Sequence, residues 1–323
     1  MTLTIVTELN FTPQKGQAFS VLKVSELEIE SSWKMLTSTA KITLPRNVKD
    51  FDNQKVSEVF KVGDKCTIKA GYNGELLTEF EGYIRKVSAD YPMTIELEDE
   101  MFKIKKLPVN AAFKGGSLKV FLGQIVKGIE IDCEAEIQVG ALRFPTTTLG
   151  AVLDTLQKDY SLYSFIRNGK LTVAKPYSDV KASGDIYRFD LERNCISNNL
   201  NYLSKDDRTI KIKATSLTGK GKKKLEYEFG DDNPNTTLNI KLDFNNKAEM
   251  EKEVKRLYDL HKRDGFEGTF TVLGAPSLKH GEKVTISSSL YPERKGTYYI
   301  DRVLKSLSAD GYHQEVQLGQ TAK

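Results

Sequence analysis

The sequence predicts a mainly β protein with an α/β insert: two similar β-barrel domains, a small α/β domain between them, and one long helix inserted in the second β region. Three observations carry this. Runs with the two-residue apolar alternation of half-buried strands dominate both ends of the chain. Helical spacing gathers in a middle stretch. And one phrase is written twice, as "EGYIRKVSAD" at Glu81–Asp90 and "YYIDRVLKSLSAD" at Tyr298–Asp310. The corresponding division is a first barrel at 1–105, the α/β insert at 106–184, and a second barrel at 185–323 that contains the helix 247–264.

In the first region "LEIESSWKML" and "STAKITLP" read as two strands joined by a turn. In "KCTIKAGY", Cys66, Ile68, Ala70 and Tyr72 face one way and Thr67 and Lys69 the other. "EGYIRKV" and "MTIELED" follow as strands, with Tyr91-Pro92 breaking the chain between them. From Leu107 the texture changes. Ser117 is placed to cap a helix in which Leu118, Phe121, Leu122 and Ile125 share a face, and Gly128 to end it. Thr148 opens a second helix with Leu149, Val152, Leu153 and Leu156 at the same spacing. Asn168-Gly169, between the alternating runs of "YSFIRNGKLTVA", signals a hairpin, because both central residues of its turn need positive φ.

After Ile186 the strands return in "NLNYLSKDDRTIKIKATS", "KKLEYEFG" and "LNIKLDF". Asn246 with Glu249 makes a capping-box-like start for the long helix, and Met250, Val254, Leu257, Tyr258 and His261 lie along one face. Gly265 is placed to close it. "GTFTVLG", "EKVTISS", "TYYIDRVLKSL" and "QEVQLG" complete the chain as strands.

The doubled phrase extends upstream. "KVGDKCTI" matches "KHGEKVTI", so that Gly63 pairs with Gly281, Asp64 with Glu282, and Ile68 with Ile286. Tyr83, Ile84 and Val87 then match Tyr299, Ile300 and Val303, and Ile95 and Leu97 match Val316 and Leu318. The spacing between the Tyr-Ile strand and the Ser-Ala-Asp turn is longer in the second copy. Glycine supplies the sharp turn, the acid bonds the turn backbone, and the aliphatic positions fill one face. Four matched elements in one order read as duplication of a barrel. Arg85 is replaced by Asp301, so the charge at that position is free to differ between copies.

A chain of 323 residues predicts two or three domains, at roughly 100–200 residues each. A net charge of +4 announces no strong electrostatic partner. "MTLTIVTELNF" lacks the basic region and apolar run of a secretory signal, and no stretch approaches the ~20 apolar residues of a membrane span. Cys66, Cys133 and Cys195 are odd in number and far apart, which fits a reducing cytoplasm better than a disulfide framework. His261, His280 and His313 have no second His or Cys at metal-ligand spacing, so no metal site is expected, and His261 reads as packed or at an interface. "TGKGKKK" lacks the spacing of a phosphate loop and reads as a basic hairpin tip, with Lys220, Lys222, Lys223 and Lys224 as a candidate interaction loop. "DDNPN" spaces Asp231, Asn233 and Asn235 like a calcium loop, but Thr236 and Leu242 stand where Gly and Glu belong, so it reads as a turn. Glu96, Glu98 and Glu100 fall on one strand face, expected to be solvated. No nucleophile–base pair or Gly-rich cofactor motif stands out, so neither an enzyme nor a cofactor is expected.

"GTFTVLGAPSLKHGEKVTI" followed by "GTYYIDRVLKSLSADGYHQEVQLG" resembles the carboxy-terminal barrel of the phage tail baseplate hub family, which includes the late control protein D type and the hub portion of the type VI secretion spike protein VgrG. Gly274-x-Pro276, Gly281-Glu282, Tyr299-Ile300 and Gly311-Tyr312 carry the resemblance. The first barrel and the insert are similar to that family's corresponding parts, so the resemblance covers nearly the whole chain.

The resemblance implies a structural baseplate hub of a contractile phage tail or related injection system. It implies a homotrimer whose paired barrels make a pseudo-sixfold ring. That ring meets a sixfold tail tube on one side and a threefold spike on the other, with passage of DNA through its lumen. It implies a component of the virion tail assembled in the host cytoplasm. The chain ends at Lys323, after the second barrel, without the OB domain or β-helix of fused spikes, so the spike is expected to be a separate protein. Three other readings stand beside this one: a tail-tip hub of a non-contractile phage, a nucleic-acid-binding barrel protein using the lysine tip, and a cell-wall hydrolase using the acids at 96–100.

Overall fold

A computed structural model describes residues 3–45, 59–88, 92–134, 137–175, 177, 186–217, 224–242 and 246–322. The amino-terminal part contains β1 (Ile5–Thr12), β2 (Phe19–Val21), β3 (Glu26–Ser32), β4 (Thr39–Thr43), β5 (Lys65–Tyr72), β6 (Glu75–Val87) and β7 (Thr94–Glu98). A short helix, α1 (Met101–Ile104), leads into β8 (Pro108–Phe113), β9 (Gly116–Ser117), α2 (Leu118–Ile125), β10 (Glu130–Cys133), β11 (Gln138–Val139), β12 (Leu142–Thr148), α3 (Leu149–Tyr160), β13 (Tyr163–Arg167) and β14 (Lys170–Ala174). The carboxy-terminal part contains β15 (Tyr187–Asp190), β16 (Ser197–Leu203), β17 (Ile210–Leu217), β18 (Lys224–Gly230), β19 (Thr236–Leu242), α4 (Lys247–His261), β20 (Gly265–Leu273), β21 (Lys283–Ser287), β22 (Gly296–Ser308) and β23 (Gly311–Thr321).

The fold is mainly β. Thirteen strands from both ends of the chain join one sheet, and the described strands form no closed barrel. Within that sheet one neighbour order occurs twice: β5-β6-β7-β4-β3 and β21-β22-β23-β20-β16, antiparallel at every step. The registers agree as well. Lys65 faces Tyr83 as Lys283 faces Tyr299, and Ile84 faces Leu97 as Ile300 faces Leu318. Each copy is bulged just after its Tyr-Ile pair, at Arg85 and at Asp301. The outer strand β1 pairs antiparallel with β5, whereas β15 pairs parallel with β21.

Two smaller units interrupt the sheet. In the insert, α2 and α3 pack Leu118, Phe121, Leu122, Val152, Leu153 and Leu156 into one core beside the β10-β14-β13 sheet. The Thr148 hydroxyl caps α3 by accepting from the Ala151 N–H at 3.4 Å. Asn168 and Gly169 have φ of +50° and +72°, which closes the β13–β14 turn. The second unit departs from expectation. The alternation of β17, β18 and β19 predicts barrel strands, but they form a separate sheet in the order β18-β17-β19. It closes over α4 through Ile212, Ala214, Met250 and Val254. β16 and β20 are adjacent in the main sheet, so residues 204–264 are one excursion between neighbouring strands. The helix also stops at His261, short of the predicted 264, because Lys262 leaves helical geometry at φ −85° and ψ 69°. Gly265 then opens β20.

Everything hinges where β22 meets β3. Arg302–Leu307 pair antiparallel with Leu27–Ser32, and the Trp33 N–H extends the ladder by donating to the Asp301 carbonyl at 3.2 Å. This stretch includes the four residues by which the second hairpin is longer than the first. Beneath the seam lies an ion pair between Lys305 and Glu79, whose side chains are 6% and 0% exposed. A bulge between Ile68 and Lys69 in the β5–β6 register lets Glu79 and Phe80 both turn inward. The Ser277 hydroxyl donates to Glu79 Oε2 at 2.8 Å and lies 2.6 Å from Lys305 Nζ. Close by, the Tyr72 hydroxyl donates to the Tyr312 carbonyl, and the Gly274 N–H donates to the Tyr72 hydroxyl at 3.1 Å.

A second junction joins three parts of the chain. Trp33 follows β3, Phe165 belongs to the insert, and His280 precedes β21. Their rings meet edge to face, with centroids 5.1–5.6 Å apart. Arg167 Nη2 donates to the His280 carbonyl at 2.7 Å. Burial, with Arg167 and Lys279 nearby, pushes the His280 imidazole down to about 3.

Two outcomes follow from these junctions. Glu79→Leu or Lys305→Met alone strands a charge in the interior and lowers stability by about 3–5 kcal/mol in urea unfolding. The double variant loses much less than the sum, and single variants that each lose under about 1 kcal/mol rule out a buried, mutually dependent pair. The second outcome concerns pH. His280 is neutral when folded and titrates near 6.5 when unfolded, so below that value the unfolded chain binds the extra proton. Its contribution is full above pH 6.5 and is lost towards pH 3, at about 1.4 kcal/mol per pH unit. Asp99, raised to about 6 by burial, acts in the opposite sense as pH falls. The test is therefore the difference from His280→Phe: the parent loses stability more steeply between pH 6.5 and 4.5, and parallel profiles overturn the assignment.

Candidate functional site

The repeated turns are built alike from the backbone outward. Gly63 and Gly281 sit at φ +92° and +83°, where a side chain is strained. The Gly63 N–H donates to the Ile84 carbonyl and the Gly281 N–H to the Ile300 carbonyl, both at 2.8 Å. The Ile84 and Ile300 N–H groups donate back to the Asp64 and Glu282 carbonyls, both at 2.9 Å. The acid side chains close the turns: Asp64 accepts from the Lys61 N–H at 3.1 Å and Glu282 from the Lys279 N–H at 2.9 Å. Ile68, Ile84, Ile286 and Ile300 are fully buried, Val303 nearly so, and Val87 half-buried. The Gly-acid positions thus anchor the turns, and the aliphatic positions fill the two cores. In the first copy Ala89 and Asp90 of the Ser-Ala-Asp phrase lie outside the described residues.

The two copies differ at the bulge. Arg85 is half-exposed and reaches across β7 to Glu96 at 2.9 Å and Glu98 at 3.3 Å. Asp301 turns inward and accepts from the Tyr177 hydroxyl at 2.7 Å; burial pushes both groups up. The same bulge therefore presents a cation in one copy and a covered acid in the other.

The acid cluster departs from expectation too. Glu98 is not solvated: its side chain is 4% exposed and is held by Arg85 and by Lys105 at 2.5 Å. Glu100 has left the strand, precedes α1, and accepts from the Tyr83 hydroxyl at 2.9 Å. Each of the three acids is committed to a cation or hydroxyl neighbour. Arg302 repeats this pattern at the seam, with Glu30 at 2.5 Å and Glu315 at 3.1 Å.

A polar cleft of about 360 Å³ lies between the end of α4 and the β20–β23 and β22 strands, lined by Arg208, His261, Glu267, Tyr298, Asp301 and Gln320 among others. Gln320 Nε2 is 2.8 Å from His261 Nε2, Arg208 pairs with Glu267, and burial lowers the His261 imidazole further than Glu267 raises it. His261 is half-buried against Gln320 of β23, outside the apolar core that Met250 and Val254 form on the same face. Among the described residues no three His, Cys, Asp or Glu side chains gather to hold a metal. Asp231, from the calcium-like run, caps the excursion instead: both its oxygens accept from Lys262 Nζ at 2.7 Å, and it accepts from the Ile210 N–H at 2.8 Å. Lys220, Lys222 and Lys223 lie outside the described residues; Lys224 begins β18, opposite Leu217. Among the described residues no helix is long and apolar enough to cross a membrane.

What remains distinctive is a sheet with unequal edges. β3 is covered by β22, whereas its counterpart β16 pairs, among the described residues, with β20 alone. Sequence reasoning did not find the seam residues Glu79, Lys305, Arg302 and Trp33. The one signal was the longer spacing between Tyr299 and Ser308.

No family model and no curated protein matches the chain. Solved structures do match its fold. A tail protein from Neisseria meningitidis has a TM-score of 0.67 at 14% identity, covering 99% of this chain and 97% of its own. The 43 kDa tail protein of prophage MuSo2 from Shewanella oneidensis has a TM-score of 0.67 at 15% identity, covering 98% of each chain. The c3393 protein of Escherichia coli, described as a type VI secretion component structurally similar to bacteriophage T4 tail proteins gp27 and gp5, has a TM-score of 0.57 at 10% identity and covers 100% of this chain and 78% of its own. The repeated five-strand order, its two interruptions and their sequence along the chain thus form a fold that this protein shares, over nearly its whole length, with phage tail proteins and a type VI secretion component.

Proposed function

We propose that this chain is a structural hub of a phage tail baseplate or related contractile injection system. In this reading it acts by assembly rather than catalysis, as part of the virion tail put together in the host cytoplasm. The observation that carries the reading is the doubled order β5-β6-β7-β4-β3 and β21-β22-β23-β20-β16 within a fold shared end to end with tail proteins. Two quasi-equivalent units per chain make six from three copies. A trimer of this kind presents six similar surfaces to a sixfold tail tube and three to a threefold spike, without six separate subunits. In that ring the sheets of 1–105 and 185–323 act as the two barrel domains, and the insert at 106–184 is a peripheral module. DNA passes through the lumen.

The differing bulges support the same reading. Arg85 and Asp301 occupy equivalent places, but one is a half-exposed cation and the other a covered acid, so neighbours of threefold symmetry can tell the two units apart by the cation while neighbours of sixfold symmetry use what the units share.

Native mass spectrometry and electron microscopy of the purified chain at tens of micromolar test this. The expected result is a trimer whose projections show six similar lobes around a central opening. A stable monomer that binds neither tube nor spike protein overturns the reading.

A further inference from the structure

The seam inside the chain predicts a seam between chains. β3 is the last strand of the first unit, and its outer edge is covered by the second unit's β22 over Arg302–Leu307. β16 holds the equivalent place in the second unit. It pairs only with β20 among the described residues, and its outer edge is open. The covering element has a counterpart as well. β22 is paired with β21 through Tyr299, and beyond Ile300 the same edge receives β3. β6 is paired with β5 through Tyr83, and beyond Ile84 the same edge receives nothing among the described residues. Each chain therefore carries one seam already made and the two halves of another, unmade.

We infer that β16 of one copy pairs antiparallel with the end of β6 of a second copy, repeating between chains the first pairs of the β3–β22 seam, those at the positions that both hairpins possess. This rests on the hub reading above. The occupant is a second copy of this chain, because the strand that covers the equivalent edge is the equivalent strand of the repeat. The register transfers through the pairs already described. Arg302 corresponds to Lys86 and Val303 to Val87, through their shared partners across β23 and β7. Ser32 corresponds to Leu203 and Ser31 to Tyr202, through β4 and β20. Arg302 opposite Ser32 and Val303 opposite Ser31 thus become Lys86 opposite Leu203 and Val87 opposite Tyr202. Val303 is 1% exposed in the made seam, whereas Val87 is half-buried at the open edge. An unpaired edge of this kind is a template for strand addition, and closing a ring is one way to remove it.

Cysteine cross-linking tests the register. Lys86→Cys with Leu203→Cys, in a Cys195→Ser background, is treated with a mild oxidant and run on a non-reducing gel. Opposed residues of antiparallel strands lie about 4.5–5.5 Å apart at Cα, within disulfide reach. The expected result is a ladder ending at a covalent trimer, absent from either single variant and lost on reduction. Ser88→Cys with Asn201→Cys probes the next opposed pair on the same face, so misfolding of one variant leaves the question open to decision. A trimer by native mass spectrometry that cross-links in neither pair overturns this seam and leaves the hub reading standing. A chain that stays monomeric overturns both.

Discussion

The constraint on which the rest of the molecule depends is the antiparallel pairing of β22 with β3. Strand pairing demands that each buried backbone donor and acceptor be met, and a sheet edge left over from one unit has to be covered or capped. Here the second unit covers the edge of the first. Four extra residues would do little if they only lengthened a hairpin. Placed between Ile300 and Tyr312 they give β22 a second half, so that Val303 serves one core while Leu307 and Tyr312 serve the other. The two cores are held together by strands they share.

The buried Lys305–Glu79 pair is best understood as a consequence of that sharing. Joining two sheets through one strand puts β22 side chains against β6, which was shaped by its own unit's alternation. Burying two charges costs more than packing two aliphatics of the same size, so such a pair is poor evidence of stability. It does distinguish registers: a slip of one residue turns Lys305 to the opposite face and leaves Glu79 without a cation. The aromatic junction of Trp33, Phe165 and His280 works in the same direction without charge. It fixes the insert and the two units at one point, with the single tryptophan of the chain at its centre.

Much of this architecture was legible in the sequence. The Gly-acid turns, the Tyr-Ile strands and the Asn168-Gly169 hairpin are local devices whose chemistry is confined to a few adjacent residues, and such devices can be read one at a time. Three features were not local. Glu98 sits on a strand whose alternation marks it as solvated, yet α1 folds Lys105 back over it. β17–β19 alternate like any half-buried strands, and nothing in their pattern says that α4, rather than the main sheet, will cover them. Glu79 is turned inward by a bulge that depends on β5 as much as on β6. In each case the deciding partner is a separate element, and periodicity reports which face is apolar without naming what lies against it.

The repeat is the exception, and it shows what duplication adds to a reading of one chain. Two copies of a unit placed in different surroundings behave as a comparison made by the molecule itself. Positions kept in both, such as Gly63 with Gly281 and Ile84 with Ile300, answer to the unit's own folding, and their hydrogen bonds agree to within about 0.1 Å. Positions that differ answer to neighbours. Asp301 stands in the place of Arg85 where Tyr177 and Trp33 crowd the bulge, and the hairpin is the longer one where another unit is met. By that logic the place to look for a neighbour from outside the chain is where the first unit lacks what the second has, notably the edge of β6 beyond Ile84, which no described strand covers.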